Sequence, residues 1–121
     1  MSQRRSFSVV IDCRDPVTLA GFWAPALGYG DAGWPHEPYV VLIGEKGLGA
    51  PLLLLQKVDE PKIGKNRVHI DVYAEDIEVE AERLVALGAK REGEPFKEHD
   101  ARWIVMSDPE GNEFCVCSGL T

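Results

Sequence analysis

His69, Asp71 and Tyr73 stand at alternate positions in one run of the chain, and Glu113, Cys115 and Cys117 do the same in another. Alternate residues of a strand share a face, so each run would present polar, chemically able side chains on one side. A histidine beside a carboxylate can hold or move a proton near neutral pH. Histidine, carboxylate and thiol together can hold a soft divalent metal. Trp34, Tyr39 and Trp103 suit the wall of a ligand cavity, which needs aromatic rings with a few polar groups among them. The residues read as ligand-binding are therefore His69, Glu113, Gln56, Trp34, Tyr39 and Trp103. Cys115 and Cys117 read by default as small core hydrophobes. His36 and His99 read as solvated loop residues, with His99-Asp100 as an alternative flap near Trp103.

The elements that must position these groups occur twice. Val10-Ile11-Asp12-Cys13-Arg14-Asp15-Pro16, an amphipathic stretch and Leu27-Gly28-Tyr29 are echoed by Ile70 to Ile77, a second amphipathic stretch and Leu87-Gly88-Ala89. Phe7, Val9 and Ile11 alternate onto one face of a first strand. Asp15 caps a helix, with Pro16 at its first position, where the missing N–H costs nothing. Leu19, Phe22, Trp23, Ala26 and Leu27 form its apolar stripe, Gly28 ends it, and Pro25 predicts a kink or an early stop. Residues 30–38 read as loop, and Tyr39–Ile43 and Leu52–Lys57 as strands around a glycine-rich turn.

In the second copy Arg67–Tyr73 reads as a strand with Val68, Ile70 and Val72 on one face. Asp76 caps a helix whose stripe is Ile77, Ala81, Leu84 and Val85. Strands near 89–91, over 102–106 and over 113–117 follow, the last two joined by the turn Asp108-Pro109-Glu110-Gly111-Asn112. The order is βαβββ twice: module 1 over about 6–58, a linker over 59–66, module 2 over about 67–118, all within a single domain of 121 residues.

Composition narrows the function classes. A formal charge of −7 argues against nucleic acid or an anionic membrane as partner, because phosphate binding needs clustered cations. The basic groups Arg4-Arg5 and Lys62, Lys65 and Arg67 read as solvated surface charge. No phosphate-binding loop or Gly-x-Gly-x-x-Gly turn occurs. Leu52–Leu55 is far short of the ~20 apolar residues of a membrane span. Three cysteines, an odd count with no secretory leader, point to a reducing, cytoplasmic setting.

The duplicated unit, His69-Ile70-x-Val72-x-x-x-Asp76-Ile77, the two Leu-Gly turns and Asp108-Pro109-Glu110-Gly111-Asn112-Glu113-Phe114 together resemble the vicinal oxygen chelate superfamily: glyoxalase I, bleomycin-resistance proteins and extradiol dioxygenases. The resemblance covers essentially the whole chain and is nearest to the small glyoxalase-like proteins. It implies an α+β fold of two βαβββ modules forming a cupped, eight-stranded mixed sheet with helices outside, commonly in a homodimer. Metal-dependent members carry ligands on the first, fourth, fifth and eighth strands. Carried onto this sequence those positions fall on Ser8, on Leu54 or Gln56, on His69 and on Cys115. Only His69 is matched, so no metal and no cofactor is assigned, and His69, Cys115 and Glu113 are left as an alternative soft set. The function read from this pattern is binding of a small apolar or aromatic molecule without a catalytic metal. The alternative is an enzyme of the superfamily, a lyase, isomerase or dioxygenase using a metal or a His69–Glu113 acid–base pair.

Overall fold

In the computed structural model, which describes residues 7–33, 38–45 and 49–118, Asp15 opens the first helix as its residue type demands. Its carboxylate accepts from the Thr18 amide at 3.1 Å and the Thr18 hydroxyl at 2.7 Å. The chain divides into two compact units, Met1–Pro61 and Lys62–Thr121, each a mixed sheet with one helix. Unit 1 holds β1 (Ser8–Cys13), α1 (Pro16–Leu27), β2 (Gly30–Asp31), β3 (Tyr39–Ile43) and β4 (Leu52–Lys57). Its strand order is β1-β4-β3-β2. β1 lies parallel to β4, Ser8 facing Leu52 and Asp12 facing Gln56, and the remaining pairs are antiparallel. α1 packs on β3 and β4, burying Leu19, Phe22, Trp23 and Ala26 with Leu42, Leu53 and Leu55. Phe22 and Trp23 meet edge to face at 5.0 Å.

At Pro25 the early stop does not occur, and one loop expectation for this unit is corrected. Pro25 does not end α1, which runs on to Leu27. Pro25 and Gly21 both lie on the exposed side of the helix, where water can take the carbonyl that the proline leaves without a donor. Gly30–Asp31 is a short strand rather than loop. Gly28 at φ 71° turns the chain off the helix and delivers it antiparallel to β3, which outweighs the poor strand propensity of Gly and Asp.

Unit 2 holds β5 (Asp71–Tyr73), α2 (Ile77–Leu87), β6 (Lys90–Arg91), β7 (Phe96–Glu98), β8 (Ala101–Ser107) and β9 (Glu113–Ser118). The order is β5-β9-β8-β6, with β7 also paired to β8, and β5 lies parallel to β9. Asp76 caps α2 by accepting from the amides of Glu78 and Val79 at 3.0 and 3.1 Å. α2 packs on β6, β8 and β9, burying Ile77, Ala81 and Leu84 with Ile104, Met106, Phe114 and Val116. Val85 and Val68 stay exposed, at 45% and 81%. Only Asp71–Tyr73 of the expected 67–73 strand joins the sheet ladder, extended by one bond from the Cys115 amide to the Ile70 carbonyl. β7 was not expected. It exists because His99, at φ 53°, and Asp100 close a two-residue hairpin that sets Phe96 opposite Trp103.

The fold is thus α+β, a βαβββ plan in each unit with one added strand, β7. The Asp-Pro turn is structural: buried Asp108 accepts from the amides of Glu110 and Asn112, both at 2.9 Å, and from the Asn112 side chain. Its neighbour Pro109 sits where a Cβ on Gly88 would come within 3.3 Å of the ring. The second Leu-Gly turn and the Asp-Pro turn therefore specify each other by close packing.

Candidate functional site

Strand register in unit 2 builds the site row by row. Asp71, Cys115 and Val105 face one another across β5, β9 and β8, and so do Tyr73, Cys117 and Trp103. The alternating residues Val72, Val116 and Ile104 are buried, so the two rows stand on the sheet face away from the core. This settles the parity of β8: Trp103 belongs to the open face and Ile104 and Met106 to the core. The face carries an open cavity of about 460 Å³ whose lining includes His69, Asp71, Tyr73, Trp103, Cys115 and Cys117. That size lies in the range of small-molecule sites, ~300–1,000 Å³.

His69 Nε2 lies 3.1 Å from Asp71 Oδ1. That distance lets an Nε2–H donate to the carboxylate. Burial, then the Asp71 and Cys115 charges, pushes the Cys117 thiol up to about 12. Burial and Asp71 raise the Cys115 thiol as well, against a smaller opposing pull from Lys65. Both thiols are therefore protonated at neutral pH and are poor nucleophiles, since the thiolate is the reactive form. Trp103 is braced from outside the cavity rows by Phe96, the two rings stacked at 5.6 Å and 17°. Stacking of this kind adds to burial in fixing an aromatic side chain.

The site residues expected from sequence are distributed unevenly. His69 and Trp103 share the cavity. Glu113 does not line it: its carboxylate pairs with Lys62 Nζ at 2.8 Å and accepts from the Asn66 amide at 2.7 Å. The Lys62 and Asn66 contacts hold it below the usual carboxylate range. Tyr39 and Gln56 belong to unit 1, directly opposite each other on β3 and β4. Trp34 lies outside the described residues, as does His36. His99-Asp100 forms the exposed β7–β8 turn.

Asp71 is the residue that sequence reasoning undervalued. The donor atoms of His69, Asp71 and Cys115 lie within 4.8 Å of one another, an N, O and S set of the kind that holds catalytic zinc with a fourth position open. The donor types fit a metal, and His69 and Cys115 occupy two of the positions implied by the resemblance. Asp71, not Glu113, completes the group, because the Lys62 ion pair takes Glu113 away. The signal was present in the sequence as His-x-Asp, two side chains on one strand face.

The model of the glyoxalase-like domain matches residues 8–117, and the chain belongs to this family, within the vicinal oxygen chelate superfamily. Solved structures agree on the fold. A glyoxalase/bleomycin resistance protein/dioxygenase family enzyme from Burkholderia phytofirmans is 17% identical, with a TM-score of 0.77 over 93% of this chain and 97% of that one. A glyoxalase/bleomycin resistance protein/dioxygenase from Nocardioides is 19% identical, TM-score 0.74, over 99% and 86%. The fosfomycin resistance protein FosX from Mesorhizobium loti is 16% identical, TM-score 0.70, over 98% and 94%. No curated protein matches the chain at a significant level. Among the described residues no helix is long and apolar enough to cross a membrane.

Proposed function

We propose that this glyoxalase-like protein binds a small apolar or aromatic molecule on the open face of unit 2, without a catalytic metal, as a cytoplasmic homodimer. The observation that carries the reading is the cavity in which Trp103, braced by Phe96, and Tyr73 stand over protonated thiols. Such a surface offers ring stacking and apolar contact, with the His69–Asp71 pair as the polar group that orients a ligand.

The test is fluorescence titration with a panel of bicyclic aromatics. Ligands should quench emission in the wild type, lose most of that quenching in Trp103→Phe, and bind equally with and without a chelator. Binding abolished by chelator would overturn the metal-free reading. Light scattering should give twice the mass of the chain, and a monomer would refute the dimer.

A second reading is favoured by the His69, Asp71 and Cys115 donor group. There the protein is an enzyme, and a bound divalent metal would supply Lewis-acid polarisation of a ligand oxygen. His69, Asp71 and Cys115 would hold it, and Trp103 would position the substrate ring. An acid–base form of this reading uses His69 with Asp71 as the carboxylate that orients it. Stoichiometric zinc or nickel bound by the wild type and lost in Asp71→Ala would establish the metal form.

A further inference from the structure

Two of the cations around Gly64, Lys62 and Lys65, have different fates. Lys62 is committed to Glu113. Lys65, the immediate neighbour of Asn66, which is hydrogen-bonded to Glu113, lines the cavity itself. It has no ion-pair partner among the described residues, and its charge is felt at Cys115. Asp71 is the single carboxylate among the cavity's described lining residues, and His69 Nε2 already occupies one of its oxygens at 3.1 Å. Arg102 also touches the cavity, from the strand position of opposite parity to Trp103. Among the described residues Lys65 is therefore the cation of this face left without an ion-pair partner, in a chain of net charge −7.

From this juxtaposition we infer that the ligand is an aromatic anion, its ring stacked on Trp103 and its carboxylate or equivalent acidic group taken by Lys65. The inference rests on the small-molecule reading of this same cavity and narrows its ligand class. A neutral ring would gain the stacking but leave the ammonium without a partner. A cationic ring would meet Lys65 as a like charge and compete with His69 for Asp71. The overall negative charge of the protein opposes unspecific capture of anions, so recognition has to be local and short-ranged.

The test uses three probes of one shape: 2-naphthoate, 2-naphthamide and 2-(aminomethyl)naphthalene, titrated against wild type and Lys65→Met by fluorescence. Wild type should bind the naphthoate tightest, and raising salt should reduce that preference, as it does for exposed charges. Lys65→Met should weaken the naphthoate by about two- to fivefold, the range of an exposed ion pair, and leave the naphthamide unchanged. Unchanged naphthamide binding also reports that the variant is folded. Equal binding of naphthoate and naphthamide by wild type, or tighter binding of the amine, would overturn the anion inference while leaving the aromatic cavity in place. No binding of any of the three would overturn both.

Discussion

Removing the Asp108 carboxylate should unfold the second module more readily than any single change on its open face. The side chain is 3% exposed and serves three donors: the amides of Glu110 and Asn112 and the Asn112 side-chain amide, the last spanning both oxygens at 3.1 and 3.0 Å. Hydrogen bonds to a charged group are worth ~1.5–3 kcal/mol each when lost outright. Glu110 and Asn112 are only half buried, so water can take over part of each bond. Asp108→Ala should then cost ~2–4 kcal/mol. With a urea slope of ~1–3 kcal/mol per molar, the unfolding midpoint should fall by roughly 0.7–4 M. Asp108→Asn keeps one acceptor for the two backbone amides but turns an NH₂ toward the Asn112 side chain, donor against donor, and should lose roughly half as much. Urea unfolding followed by far-UV circular dichroism reads both variants. A loss under ~0.5 kcal/mol for Asp108→Ala, the scatter of an ordinary surface change, would refute the view that this turn is held by its buried carboxylate.

Two further outcomes follow from the titratable groups. At pH 8 the Cys117 thiol, pushed up to about 12, should react with iodoacetamide orders of magnitude more slowly than a free cysteine, whose pKa is ~8.5; peptide mapping after labelling checks this, and rapid modification of Cys117 in the native state would contradict it. Glu113 is held below its ordinary 4.5 by the Lys62 hydrogen bond and the Asn66 amide. A depressed carboxylate contributes stability that is present above the ordinary value and lost as pH falls through the lowered one. Thermal unfolding of Glu113→Gln should therefore lie below wild type at pH 7 and converge with it as the pH falls through the lowered value; a constant difference across the whole range would sink the linkage.

The resemblance motifs were legible because each is local chemistry. Asp15 and Asp76 are helix caps, Gly28 and Gly88 are helix ends, and Asp108 to Asn112 is a self-bonded turn. Their physical requirements bind residue type to position within a few residues of chain. Of the strands missed, Gly30–Asp31 carries little strand propensity of its own and Phe96–Glu98 only that of Phe96. They exist because a neighbouring strand was placed within reach, which is a non-local fact. Val85 and Val68 show the same limit from the other side: apolar type suggested burial, and the packing angle of the helix and the start of the sheet ladder left them in water.

The candidate site divides along the same line. Sequence alternation alone placed Cys115 and Cys117 on one strand face and His69 with Asp71 on another, since a period of two is fixed by the pleat. It also picked out His69 and Trp103. Only the tertiary structure could lay β5 parallel to β9 and β8 antiparallel to it, so that Asp71, Cys115 and Val105 became one row and Tyr73, Cys117 and Trp103 the next. Glu113 has the right type and parity for that face, yet a lysine from the preceding segment claims its carboxylate at 2.8 Å. That Asp71 stands beside the histidine is local, since the two are two residues apart; that Glu113 is drawn off to Lys62 joins segments far apart in sequence and is set by packing.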